Sequence, residues 1–501
     1  MNRGITRVPD TFRSHPVGQI RSGPPAFPPI RLRPAPPQGE SGAMLPEIVT
    51  EIPGPRSREL AARLHRSESR NVTFLDAEFP VFWARARGVN VWDVDGNRFL
   101  DLTSAFAVAG LGHAHPVLVA ALNDQAATLL HAMGDVHPTE VKVRLCEELG
   151  RITFGRWNGG SARVILGSAG FEAVEAALKT ALLHTGRRGV IAFSGGYHGL
   201  GYGAIEACGW PYFREPFRRQ LAEFATLLPY PHCFRCPFGN HDDARLGSDL
   251  PACSKSCLDQ LEAKLRSVLG TGEIGCVLVE PAQGRGGEIF PPAEFLPLLR
   301  RLCDESGAVL VFDEIYTGFH RTGPFFASES AGVVPDLVCV GKALTGGFPL
   351  SACIGLAAVM EAWPESTGEA LHTSTFLGHP VGCAMALASI AEHEKPDVPA
   401  KVLAQGARLL AALRAIDSPR VGQVRGRGLM LGVELVHSAD DARPDAAGAI
   451  HVVKHALREG LLVLAGGPAG NVLSLTPPFD LTDAEIDWAA KRLGELIAAA
   501  A

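Results

Sequence analysis

From about residue 105 to residue 380, short apolar runs alternate with segments of helical period. The runs are "RVIL", "GVIAF", "CVLVE", "AVLVFDE" and "DLVCVG". They are continuous rather than alternating, as strands buried on both faces must be. The pattern therefore predicts an α/β fold whose large domain is a mostly parallel sheet flanked by helices. One unit shows the logic: "AEFLPLLRRLCDESG" puts Phe295, Leu298, Leu299 and Leu302 on one helical face, and Gly307 stops the helix before "AVLVFDE" begins.

Outside this stretch the pattern changes. "GVNVWDVDGNRFLDL" predicts two short strands around a turn at Asp95 and Gly96. After about residue 390, helical segments such as "PAKVLAQGARLLAALRAI" mix with the strand candidates "GLMLGVEL", "LLVLAG" and "NVLSLTP". The expected division is a Pro/Arg-rich tail over 1–45, which is disordered or extended, and a large domain over 105–385. A smaller α+β domain is assembled from both chain ends, 46–104 and 386–501.

Composition narrows the partners. A chain of 501 residues, 46% hydrophobic, exceeds what one core supports, and a net charge of -6 gives no reason to bind nucleic acid or an anionic membrane. A small-molecule partner is expected. No apolar run reaches the roughly eighteen residues of a membrane span, and the first residues lack the apolar core of a secretory signal. Cysteines such as Cys276 and Cys339 stand singly in apolar segments. A cytoplasmic, reducing setting is the expectation.

Ligands of open parallel sheets bind beyond the carboxyl ends of the strands, and the unusual polar residues collect there. Glu280 closes "CVLVE", Asp313 closes "VLVFD", Tyr197 follows "GVIAF" in "SGGYHG", and Lys342 follows "DLVCVG". A lysine in a partly desolvated site has a lowered pKa, which favours the neutral amine that condenses with a carbonyl. The bland alternative is a lysine whose head reaches solvent. "ILGSAGFEAVEAALKTALLHTG" reads as strand, tight turn and helix, with free N–H groups at the helix start to cradle a phosphate. Such turns also simply connect strands to helices, and Tyr197 alone reads equally as packing. A phosphate cradle, an aromatic plate, an acid and a carbonyl-capturing amine together suit pyridoxal 5'-phosphate, with the protonated pyridine nitrogen as the partner of Asp313.

The segments "VFDEIYTGFHRTG", "VGKALTGGFPL", "SAGFEAVE", "YHG", "VEPAQG" and "TFLGHPVGCA" also resemble the class III (omega) aminotransferases, which are fold type I pyridoxal phosphate enzymes. The resemblance covers about residues 50 to 495. It implies that Lys342 forms the Schiff base with the cofactor and shuttles the proton at the substrate Cα, and that Asp313 pairs with the pyridine nitrogen. By the same resemblance Tyr197 and Ile315 flank the ring, Gly170 and Phe171 offer N–H groups to the phosphate, and Glu280 and Gln283 border the substrate side. Thr375 would reach the phosphate of a neighbouring subunit, so a homodimer with shared sites is expected.

The chain also departs from the family pattern. Tyr316 stands where an amide usually contacts the cofactor, and Ala169 replaces a hydroxyl residue. Leu200 and Ser474 stand where arginines usually hold substrate carboxylates, which makes a donor without an α-carboxylate more plausible. Arg56, Arg285, Arg425 and Arg427 are the candidates to compensate. The resemblance implies amine or amino acid donors and keto acid or aldehyde acceptors; an amino acid racemase or lyase with the same cofactor is the alternative outcome.

An insertion over 229–258 carries Cys233, Cys236, Cys253 and Cys257, with His232 and His241 nearby. A zinc site, an iron–sulfur centre, a disulfide or a plain reduced loop all fit that spacing. The segment is similar to "CYRCPFG"-type insertions of some class III relatives, including archaeal enzymes that racemise amino acids.

Overall fold

The computed structural model describes residues 44–238, 255–438 and 442–500. Its centre is a seven-stranded sheet in the order Ala162–Gly167, Ser351–Leu356, Leu337–Val340, Val309–Asp313, Ile274–Val279, Gly189–Phe193 and Ala225–Leu228. All the strands run the same way except Ser351–Leu356, which is antiparallel to both neighbours. The five apolar runs of the sequence are five of these strands. Val309–Asp313 and Ile274–Val279 are buried at every position, as continuous apolar runs require.

The Phe295–Ser306 helix buries Phe295, Leu298, Leu299 and Leu302 against the sheet and stops at Gly307, whose φ of 69° suits glycine. The Gly170–Thr185 helix packs Ala173, Val174, Ala177 and Ala181 on the sheet's other core. Leu182 of the same helix is exposed, since the buried stripe runs through the small residues Ala173, Ala176 and Ala177.

The chain ends meet in one smaller sheet, and the C-terminal part builds a second. Trp83–Arg87, Asn90–Asp93 and Arg98–Asp101 form an antiparallel ribbon that Leu461–Leu462 extends in parallel. The second sheet has the order Val421–Arg427, Met430–Leu435, Val472–Leu475 and Leu464–Gly466. Among the described residues no helix is long and apolar enough to cross a membrane.

Candidate active site

With the parallel strands side by side, their carboxyl ends bring the predicted residues to one crevice. Asp313 ends its strand and is nearly fully buried. Its Oδ1 accepts the Ile315 N–H at 3.1 Å, and its Oδ2 meets His198 Nδ1 at 2.8 Å. Burial disfavours a charged His198 ring, but the hydrogen bond and charge of Asp313, with Glu280 behind, outweigh it and raise the imidazole pKa. The sequence already held this partner in "YHG", one residue from Tyr197; only the fold shows that it reaches across to Asp313.

The second acid of the pair, Glu314, does something different. Its carboxylate accepts the N–H groups of Ala327 and Ser328 at 3.0 and 2.8 Å and the Thr317 hydroxyl, fixing a downstream turn. Adjacent strand residues point to opposite faces, so one acid serves the crevice and the other the scaffold.

Glu280 sits beyond the next strand. Its two oxygens accept the N–H groups of Tyr197 and Gly284 at 2.8 and 3.0 Å, and burial pushes its pKa up to about 7. The Gln283 amide donates to the Ser194 carbonyl at 3.0 Å and lies against Gly195. Both side chains therefore fix the loop that carries Tyr197 and His198. Gly199 closes that loop at φ +101°, and a Cβ there would stand 2.4 Å from the Phe171 Cβ, so the loop rests on the start of the Gly170–Thr185 helix.

At that helix start Ala169 supplies no side-chain cap, and the first N–H groups have no intrahelical acceptor. Glu172 turns back to the N–H groups of Ser168 and Ala169, leaving Gly170 and Phe171 at the tip. Ile315 abuts this tip: a Cβ on Gly170 would lie 3.1 Å from its Cδ1, and one on Gly341 3.5 Å from its Cγ2. Ile315 thus bridges the helix start and the residue before Lys342.

Lys342 follows the Leu337–Val340 strand at a backbone φ of 39°, an uncommon left-handed conformation for a side-chain-bearing residue. Burial lowers its pKa against the opposing fields of Asp313, Glu280 and Glu288. Its Nζ lies 5.1 Å from the centre of the Tyr316 ring. The Tyr316 hydroxyl donates to Glu288 Oε1 at 3.0 Å, so the phenol is held by protein. Ser474 stands beside the same carboxyl, whose Oε2 is buried without a hydrogen-bond partner among the described residues, and burial pushes the Glu288 pKa up to about 8. Sequence reasoning singled out Tyr316 and Ser474 but not Glu288, which sits in a Gly-rich turn at φ 54° with no apolar pattern to place it.

Thr375 is exposed in a turn. Cys236 and Cys257 are buried with their sulfurs 2.8 Å apart, whereas Cys253 and His241 lie outside the described residues. Among the described residues no cluster of three or more metal-ligating side chains occurs.

The donor set fits a phosphorylated aldehyde cofactor: an uncapped helix start, a buried acid, a flanking aliphatic and a desolvated amine converge within one crevice. Residues 74–497 match the class-III aminotransferase family, and the chain belongs to it. It is 38% identical over 443 residues to a 4-aminobutyrate aminotransferase of Mycobacterium leprae, covering 87% of this chain and 94% of that one. A 5-aminovalerate aminotransferase of Pseudomonas putida is 35% identical, with 81% and 91% covered. An amine transaminase from an uncultivated Pseudomonas species, solved with bound pyridoxal phosphate, superimposes with a TM-score of 0.77 at 31% identity, covering 86% of this chain and 98% of that one. A leucine/methionine racemase of Thermococcus litoralis is also similar, at 31% identity over 84% of this chain and 91% of its own. The protein is a pyridoxal-phosphate-dependent aminotransferase that takes amine or amino acid donors and keto acid acceptors.

Proposed function

We propose that the donor is an amino acid whose reacting amine is terminal and whose carboxylate lies several carbons away, of the kind named for the two aminotransferase relatives. The observation that carries this reading is the ground around Lys342. Ser474 is an uncharged side chain beside Glu288, and Leu200 is exposed and apolar, so neither position offers a cation to a carboxylate close to the reacting carbon. A terminal amine needs none there. Transfer is favoured over racemisation because aminotransferases dominate the similar proteins, though a racemase stands among them.

In this reading the cofactor supplies an electron sink for the carbanion left when a Cα–H bond breaks. The chain's own groups do the rest. Lys342, desolvated and so readily neutral, accepts and returns the proton. Asp313, fixed by His198 and the Ile315 N–H, would be the residue that pairs with the ring nitrogen. The Tyr197 and Ile315 side chains would flank the ring, and the Gly170 and Phe171 N–H groups would hold the phosphate.

The site is also read as shared between two copies of the chain, with Thr375 reaching the phosphate of the neighbouring subunit. Exposed Leu129, Leu130, Met133 and Val136 flank His131, whose ring lies tilted against that of exposed Phe376 with the centres 5.3 Å apart. An apolar patch of that kind suits a protein partner. A cytoplasmic setting agrees with buried, unpaired cysteines such as Cys276, Cys303 and Cys383.

A single-turnover experiment tests the donor. Mixing the holoenzyme with 4-aminobutyrate or 5-aminovalerate, without acceptor, should bleach the near-visible band and leave pyridoxamine phosphate. Turnover with α-amino acids alone would overturn the terminal-amine reading, and return of racemised donor without pyridoxamine phosphate would favour the racemase.

A further inference from the structure

Four arginines compete to hold the donor's distant carboxylate, and the structure separates them. Arg425 is committed: its Nε and Nη2 donate to the Gly287 carbonyl at 2.9 and 2.6 Å, and its Nη1 reaches Gln423 and Glu434 at 2.8 and 2.6 Å. It is also nearly fully buried, and the Glu434 carboxylate neutralises it. Arg56 belongs to a helix start elsewhere, donating to the Val94 carbonyl at 3.2 Å. Arg427 is exposed and lies 5.3 Å over the Phe290 ring.

Arg285 is different. Like Arg427 it is exposed and has no ion pair among the described residues, but it is held by three rings where Arg427 has one, and those rings include Tyr197 at the site. Three rings hold it in place, with its centre 5.0 Å from Tyr197, 5.0 Å from Phe213 and 5.7 Å from Trp210. Tyr197 and Phe213 themselves pack edge to face at 5.6 Å. Ring faces engage the flat side of a guanidinium and leave its N–H edge open, which is the edge that grips a carboxylate in two parallel bonds. Its backbone is pinned as well, because the Arg285 carbonyl accepts the Gly467 N–H at 3.1 Å.

The position is one residue from the chemistry on two sides. Tyr197 carries the N–H that Glu280 holds, and its neighbour His198 pairs with Asp313. Gly284 leaves room for the Tyr316 ring, since a Cβ there would lie 2.7 Å from its Cδ1, and the Lys342 amine lies over that ring. Glu280 is engaged instead by the Tyr197 and Gly284 N–H groups and Glu288 by the Tyr316 hydroxyl.

We infer that Arg285 is the specificity-determining residue of this aminotransferase, a ring-stacked guanidinium at the crevice mouth that binds the carboxylate of a donor whose amine reaches Lys342. The inference rests on the terminal-amine reading given above. Arg285 fixes the far end of the donor, and the length of the donor then selects which carbon meets the lysine. A donor lacking the carboxylate binds without this contact.

The test compares 4-aminobutyrate with butylamine, which has the same carbon count and no acid, in the wild-type holoenzyme and in Arg285→Ala, Arg285→Lys and Arg427→Ala. Butyrate, which cannot react, serves as a binding probe by calorimetry. A charge-assisted pair of this type is expected to change affinity by about 10–100-fold. Arg285→Ala should raise KM for 4-aminobutyrate and the butyrate dissociation constant by that factor, with butylamine changed less than about twofold and Arg285→Lys intermediate. Equal losses for both amines, no loss of butyrate binding, or the same selective loss in Arg427→Ala would each overturn the assignment. If the wild type transfers no terminal amine at all, the terminal-amine reading fails, and butyrate binding still decides whether Arg285 grips a carboxylate.

Discussion

Asp313 ends a fully buried strand, and the chain itself already gives it a positive neighbour. Its contact with His198 is at 2.8 Å, and burial of both groups removes the screening that weakens surface pairs. Because the folded pKa of His198 is raised, the stabilisation is fully present below the ordinary histidine pKa, about 6.5, and is lost as pH rises through the folded value. His198→Asn should therefore lower the apoprotein's stability by about 3 kcal/mol near pH 6 and by less at alkaline pH, read as the difference in Tm across a pH series. Parallel Tm curves for the two proteins would show that the pair carries no charge. At this scale the sequence was legible where chemistry and position coincide, as at Lys342 and Asp313, each at the end of an apolar run. It was silent on the His198 contact, because nothing local in "YHG" says which distant strand the ring will face.

Elements were read best where burial on both sides erases any polar signal. "GVIAF", "CVLVE" and "VLVFD" could only be central strands, and they lie in the middle of the sheet. Ser351–Leu356 and Ala225–Leu228 went unrecognised: the first is rich in small residues and runs against the others, and the second is a short half-buried edge. Val421–Arg427 escaped for another reason, since its Gln423 and Arg425 are polar yet buried. The strand is possible only because Met430–Leu435 brings Glu434 beside Arg425 at 2.6 Å, where Arg425 and the nearby His232 and Arg235 overcome burial and hold the carboxyl near a pKa of about 2. Glu434→Ala should destabilise the protein by about 3–5 kcal/mol by stranding Arg425, whereas joint replacement of the pair by leucine and methionine should cost far less. Urea unfolding of the two variants measures this, and equal losses would mean that shape rather than charge dominates the contact.

For the whole molecule, the exposed apolar patch around Phe376 and Leu130 is the feature that one chain alone does not explain. Phe376→Asp is expected to halve the mass seen by light scattering and to abolish amine transfer with it, because Thr375 would no longer reach a second site. A variant that stays dimeric, or a monomer with full activity, would contradict the shared-site reading.

The most direct measurement is to reduce the holoenzyme with borohydride, digest it, and locate the pyridoxyl group by mass spectrometry, with Lys342→Ala treated alongside. The account predicts the label on Lys342, and neither near-visible band nor label at that position in the variant. A label on another lysine, or a variant that keeps a reducible band, would contradict it.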